Sequence, residues 1–234
     1  MKAKSLRHPD LRLSMRPLAR KSASLRGGPG TAANSTRDIP TVRRTTLPGG
    51  LRVVTEYLPS VRSASVGVWV NVGSRDEGRS VAGAAHFLEH LLFKSTPTRN
   101  TVDIAQAVDA VGGELNAFTA REHTCYYAHV LDTDLDLAVD LVADVVQRPT
   151  FAQDEVERQR AQALSALKVS AEDPQAVAGQ VIDRLIYGFH PYGMPGNGTA
   201  DSLMSLTRED FVERTGLRLC AGLALRVTAG RMLQ

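Results

Sequence analysis

The chain has 234 residues, 43% of them hydrophobic, two cysteines and a formal net charge of +3. That is enough apolar material for an ordinary buried core, and Cys125 and Cys220 have neither the CxxC spacing nor the density of a disulfide scaffold, so both are expected to be inert core thiols. A spanning helix needs about 18 uninterrupted apolar residues; even the apolar stretch from Leu217 to Leu233 is broken by Arg218, Arg226 and Arg231, so no membrane partner is expected.

Charge is distributed unevenly. Residues 1–45 hold eleven Lys and Arg against two Asp, and the rest of the chain is acidic. This segment is rich in Arg, Ser, Gly and Pro, lacks a periodic apolar face and is expected to be a disordered basic tail. Its composition is similar to that of a mitochondrial presequence. The cytoplasm is the expected compartment, with the mitochondrial matrix as the alternative. No aromatic side chains are interleaved with the basic ones to stack on bases, so nucleic acid is not an expected partner.

Next comes "TTLPGGLRVVTEYL", a turn at Pro48-Gly49-Gly50 leading into a strand, and then "SASVGVWVNVG", which alternates at period two as a second strand does. The spacing turns helical from Val81 to Lys94 and stops at Thr-Pro-Thr. "VDIAQAVDAVGG" predicts a helix capped by Gly112-Gly113. "ELNAFTA" and "TCYYAHVL" are β-rich, and "DTDLDLAVDLVADVVQ" is helical with acids in its first turn, where the helix dipole favours them. Residues 153–170 predict a further helix, and Asp173-Pro174 starts another before the turn-rich "YGFHPYGMPGNGT". Pairs of strands alternating with groups of helices imply an α+β fold, its helices packed on one face of a largely antiparallel sheet.

The chemistry concentrates in "HFLEH". On a helix, positions i and i+4 face the same way with Cβ atoms about 5–6 Å apart, so His86 and His90 can reach one ion. Zinc accepts imidazole nitrogen, and a catalytic zinc keeps three protein ligands and one open position. Glu89 shares that face and can take a proton from water attacking a peptide carbonyl. The order is the inverse of H-E-x-x-H and is one of the zinc-peptidase signatures. With this composition, chance supplies roughly 0.006 copies of HxxEH. The competing reading is a pair of hydrogen-bonded core histidines beside a solvated glutamate. His123 and His190 have no ligand partner at helical spacing and are expected to be structural, and "GMPGNGT" lacks the GK[ST] ending of a phosphate cradle.

The stretches "RRTTLPGGLRVVTEYLPSVRSASVGVWVNVGSRDEG", "AGAAHFLEHLLFKSTPTR" and "VDAVGGELNAFTAREHTCYYAHVL" resemble the pitrilysin/insulinase family of inverted-motif zinc peptidases, above all its bacterial and mitochondrial processing-peptidase-like branch. The resemblance implies a metallopeptidase half-domain with His86 and His90 as zinc ligands and Glu89 as general base. It further implies a peptide substrate bound as an added strand along Asn116, Ala117 and Phe118. A homologous second half or a partner subunit is the other implied partner. The family's third ligand is a glutamate on a later helix. In "ERQRAQALSAL", Glu157, Arg158 and Arg160 fit the pattern, but the ligand position falls on Ala166 and a second, supporting glutamate is replaced by Gln159. Gln162, Glu155 and Glu172 are poor substitutes by charge or distance. The expected organisation is therefore a tail over residues 1–45, a peptidase-like αβ domain over 46–213 and an atypical, acid-free tail over 214–234 that suggests truncation or a frameshift. The implied activity is zinc-dependent endopeptidase action on unstructured peptides or leader sequences, the alternative being a non-catalytic partner subunit.

Overall fold

The computed structural model describes residues 41–48, 50–218 and 223–229. The expected disorder of the basic tail lies outside these residues up to position 40, and so does Cys220. Strands β1 (Thr41–Thr46) and β2 (Arg52–Tyr57) form an antiparallel hairpin around the predicted Pro48 turn. Residues 41–45 thus belong to the sheet and not to the tail, because their backbone groups are paired with β2. Strand β3 (Ser63–Val70) is followed by helices α1 (Ala84–Leu92) and α2 (Thr101–Asp109). Strands β4 (Glu114–Thr119) and β5 (Thr124–Leu131) form the second hairpin. Five helices follow: α3 (Leu135–Gln147), α4 (Gln153–Glu172), α5 (Pro174–Tyr187), α6 (Ala200–Ser205) and α7 (Arg208–Arg218). Helix α7 runs across the expected boundary at 213, and β6 (Leu223–Ala229) returns to the sheet. The segment read as an atypical tail therefore supplies an interior strand; "LALRVTA" alternates as a strand requires.

The strand order is β1-β2-β6-β3-β5-β4, and among the described strands only the β2–β6 pair is parallel. One face carries the core. Opposed residues Ala64 and Val130, Val66 and Ala128, and Val68 and Tyr126 are all buried across the β3–β5 ladder. Phe87, Leu88, Leu91 and Leu92 of α1, Ile104 of α2, Val142 and Val145 of α3, Val156 of α4, Leu203 of α6 and Phe211 of α7 join the same cluster. Helix α5 contributes no buried residue, and its Val181, Ile182, Leu185 and Ile186 are exposed. The α+β class with helices on one face is thus observed.

Asp144 of α3 ties the segment after α1 to this core. Its side chain is fully buried and its Oδ2 accepts from Thr96 Oγ1 (2.9 Å), Thr98 Oγ1 (3.2 Å) and Arg99 Nη1 (2.7 Å). Arg148 Nη2 approaches Oδ1 at 2.7 Å. Burial alone would raise the carboxyl pKa, but the Arg99 and Thr96 bonds and the Arg148 charge outweigh it and hold the group below its ordinary value. The Asp144→Ala variant is expected to lose about 1.5–3 kcal/mol, the range for hydrogen bonds to a charged group, since the Arg99 and Arg148 partners are partly exposed and are not left as buried charges. In the wild type this contribution is complete above the unfolded carboxylate value of about 3.9 and disappears as pH falls through the lower folded value. Urea unfolding of both proteins at neutral and acid pH measures it: the gap closes on acidification.

Candidate metal centre

Helix α1 is short and carries all three motif residues, so its placement decides the site. It starts at Gly83, whose φ of +87° is in the left-handed region; an added Cβ would lie 2.6 Å from the Asn197 carbonyl oxygen. Only glycine fits there. No side chain at Gly83 can cap the helix, and the buried Glu77 does so instead, its carboxylate accepting from Gly83 N (2.6 Å) and Ala85 N (2.5 Å). An anion at a helix N-terminus satisfies orphan N–H groups and complements the dipole. Ser202 Oγ donates to the Ala82 carbonyl (2.8 Å) and fixes the same end to α6.

The i, i+4 spacing brings His86 and His90 together as expected, with ring centroids 4.8 Å apart and planes at 85°. Potential ligand atoms of His86, Glu89 and His90 all lie within 4.8 Å of one another. Glu89 is buried, His86 half-buried and His90 exposed at the rim. Glu89 Oε2 accepts from Thr119 Oγ1 at 2.6 Å and lies 3.6 Å from His86 Nδ1. Burial would raise the Glu89 pKa, but the contacts with His86 and Thr119, then the histidine charges, win and lower it. For His90, desolvation first and the His86 charge second lower the pKa, which favours the neutral imidazole that ligates metal. The solvated-glutamate reading is excluded by the burial of Glu89.

Beside the histidines is a cavity of about 240 Å³ whose far wall is the Gln159, Gln162, Ala163, Ala166 stripe of α4. Lys94 also lines it, and among the described residues no acidic side chain does. Ala166 and the two histidines line the same cavity. Gln159 is 5% exposed and its Oε1 has no hydrogen-bond partner, an arrangement that costs about 1–3 kcal/mol unless something binds there. The two imidazoles and the carboxylate beside them are donor chemistry that suits a divalent cation such as zinc.

Asn116, Ala117 and Phe118 lie on β4, which pairs with β5 alone among the described strands and so leaves one edge free. Asn116 and Phe118 are exposed and Ala117 is half-buried; Ala117 N donates to Asn116 Oδ1 (2.8 Å). Thr119, the last residue of the same strand, joins this edge to Glu89. Thr119, Glu77 and Lys94 carry no local sequence signal, since each acts on α1 or its cavity across a break in secondary structure. His123 packs edge-on against Phe118 and His190 Nδ1 accepts from Tyr192 N (3.2 Å), both structural contacts. The buried Cys125 thiol is pushed up to about 12 by desolvation and is inert.

The profile of the Insulinase family (Peptidase family M16) matches residues 52–199. The chain belongs to the insulinase family. An uncharacterized zinc protease of Mycobacterium leprae is 62% identical over 185 residues, 79% of this chain and 42% of that protein. A probable mitochondrial-processing peptidase subunit beta of Arabidopsis thaliana is 40% identical over 76% of this chain and 34% of its own length. The crystal structure of a protease from Helicobacter pylori superposes with a TM-score of 0.77 at 27% identity, covering 80% of this chain and 46% of that one. An inactive peptidase M16 domain from Pseudomonas fluorescens shares the fold, with a TM-score of 0.74 at 18% identity over 82% of this chain and 47% of that one. The chain thus spans less than half the length of these insulinase-family relatives.

Replacing Thr119 with Val removes the hydroxyl bond to Glu89 at nearly constant volume. The Glu89 pKa is expected to rise, and stability at neutral pH to fall by about 1.5–3 kcal/mol, the range for a bond to a charged group. Carboxyl NMR titration of Glu89 and urea unfolding read the two effects; an unmoved titration would show that Thr119 does not hold the base.

Proposed function

We propose that this chain is the metal- and peptide-binding half of a zinc-dependent metalloendopeptidase that hydrolyses peptide bonds in unstructured peptides or leader sequences. The observation that carries the reading is the ionised Glu89, held beside two imidazoles and bonded to the end of a free sheet edge. Zinc, when bound by His86 and His90, supplies Lewis acidity at the scissile carbonyl and makes water more acidic. The rest falls to the chain's own side chains and backbone. Strand β4 takes an extended peptide as an added strand at Asn116, Ala117 and Phe118, and the Ala117 N–H that Asn116 Oδ1 now holds passes to a peptide carbonyl. Glu89 accepts the proton of the attacking water, and Thr119 keeps its carboxylate from turning away. Because the matched part of the chain covers only 42% of the Mycobacterium leprae relative, a homologous second half or partner subunit is proposed to complete the substrate site.

A second reading is favoured by the acid-free wall of the cavity: a non-catalytic subunit that keeps the peptide-binding edge and assembles with an active homologue. Incubating the purified chain with zinc and a quenched fluorogenic unstructured peptide separates the two. Cleavage that stops on chelation and falls about 10²–10⁴-fold in Glu89→Gln supports the peptidase. Peptide binding without cleavage supports the second reading, and neither binding nor cleavage defeats both.

If Ala166 stands at the third-ligand position, Ala166→Glu places an anion opposite the two histidines. Zinc affinity is expected to rise sharply, and zinc, but not chelated protein, to show a raised Tm by mass action. Equal affinities in a zinc titration of the two proteins would locate the third donor elsewhere.

A further inference from the structure

We propose that Lys94 determines substrate specificity, its ammonium binding a carboxylate of the peptide in the cavity beside His86 and His90. This deepens the proposed function and rests on its extended peptide along β4. His86, His90 and Lys94 follow one another at four-residue intervals. Helix α1 ends at Leu92, but the chain keeps coiling: Lys94 N donates to the Leu91 carbonyl (3.1 Å), and Thr101 Oγ1 donates to the Lys94 carbonyl (2.6 Å). Lys94 therefore continues the histidine stripe and lines the same cavity.

A lysine just past a helix C-terminus ordinarily complements the dipole from open water. Lys94 has different surroundings. It is half-buried, and among the described residues no carboxylate pairs with it and no acidic side chain lines the cavity. The polar side chains on the opposite wall, Gln159, Gln162 and Asn197, are neutral amides. The Glu89 carboxylate, on the β4 side, is already held by Thr119 and His86. The Lys94 charge is felt at His90, whose pKa is lowered by burial first, by the His86 charge next and by Lys94 as well. A half-buried cation without a counter-charge is costly, and a ligand that brings an anion offsets that cost. A peptide on β4 leads to this place, because the strand ends at Thr119, which bonds Glu89, and Glu89 lies 3.6 Å from His86 on the cavity wall. At about 240 Å³ the cavity is smaller than the roughly 300–1,000 Å³ of a pocket for a drug-sized ligand and suits one side chain or a chain end. The chemistry it selects is a carboxylate, from an acidic side chain or from a peptide C-terminus.

The test measures peptide binding to the full chain by fluorescence anisotropy, with a chelator present so that nothing is cut. The probes are short unstructured peptides with blocked ends and a dye of no net charge, in which a single Glu is moved along the sequence and replaced in turn by Gln or Lys. One further peptide has Gln at that place and a free C-terminal carboxylate. At one position Glu should bind at least about tenfold more tightly than Gln, as a hydrogen bond between charged groups implies. Lys94→Met keeps the aliphatic stem and should erase the preference without lowering the Tm, whereas Lys94→Glu should reverse it in favour of Lys. A gain from the free C-terminus in place of internal Glu identifies the chain end as the source of the carboxylate. A wild type that distinguishes neither Glu from Gln nor a free from a blocked C-terminus overturns the proposal with no variant needed. So does a preference that persists in Lys94→Met or, should that variant not fold, in Lys94→Gln. Peptides bound without regard to charge defeat only the role of Lys94, while a chain that binds none of them defeats the peptide-binding reading as well.

Discussion

The bonds from Gly83 N and Ala85 N to the Glu77 carboxylate are the contact on which the site depends. Helix α1 has nine residues, too few to be stable by propensity, and it starts in a left-handed glycine with no capping side chain of its own. Its position comes from what grips its first turn. Glu77 does so from one side, and the Asn197 backbone and Ser202 do so from the other. With that end fixed and Phe87, Leu88, Leu91 and Leu92 packed in the core, the polar stripe of the helix has one direction left to face. His86 and His90 look toward α4, and Glu89 toward Thr119 at the end of β4.

The two sides of this stripe differ in charge. On the β4 side a buried carboxylate is stabilised as an anion by a hydroxyl and two imidazoles. On the α4 side the wall offers two amides, two alanines and, from α1's own end, a lysine. A buried carboxylate able to accept a proton is therefore in place, while the α4 wall offers no anion to hold a cation. That asymmetry makes base chemistry and metal retention separately testable.

Features set by local spacing were legible in the sequence. The four-residue interval between His86 and His90, the alternation of β3 and the Asp173-Pro174 start of α5 all follow from neighbouring residues; Asp173 does accept from Gln175 N (3.0 Å). What depends on distant partners was not. Glu77 lies outside any helix that its carboxylate visibly serves, and the bond from Thr119 to Glu89 spans thirty positions. The burial of Gln159 is decided by how α4 packs on α1. "TVRRTT" has no apolar alternation because β1 is an outer strand whose described side chains are mostly exposed, so it reads as tail. The exposure of α5 is the converse case, an apolar periodicity with no core behind it.

The insertion of β6 between β2 and β3 bears on how the chain acquires its shape. β2 and β3 are separated by a short connection yet meet only through a strand whose first residue is Leu223. Until that strand is made, β1 and β2 are a two-stranded ribbon of marginal stability, and β3, β5 and β4 form a separate sheet with an open edge. Sequential synthesis thus exposes two unpaired edges throughout translation of every helix, and the last pairing joins the residues most remote in sequence. Non-local closure of this kind is slow, and the waiting edges are sites where another chain can pair first. The strand order alone leaves these two edges open until β6 is synthesised, whatever chemistry the finished protein performs.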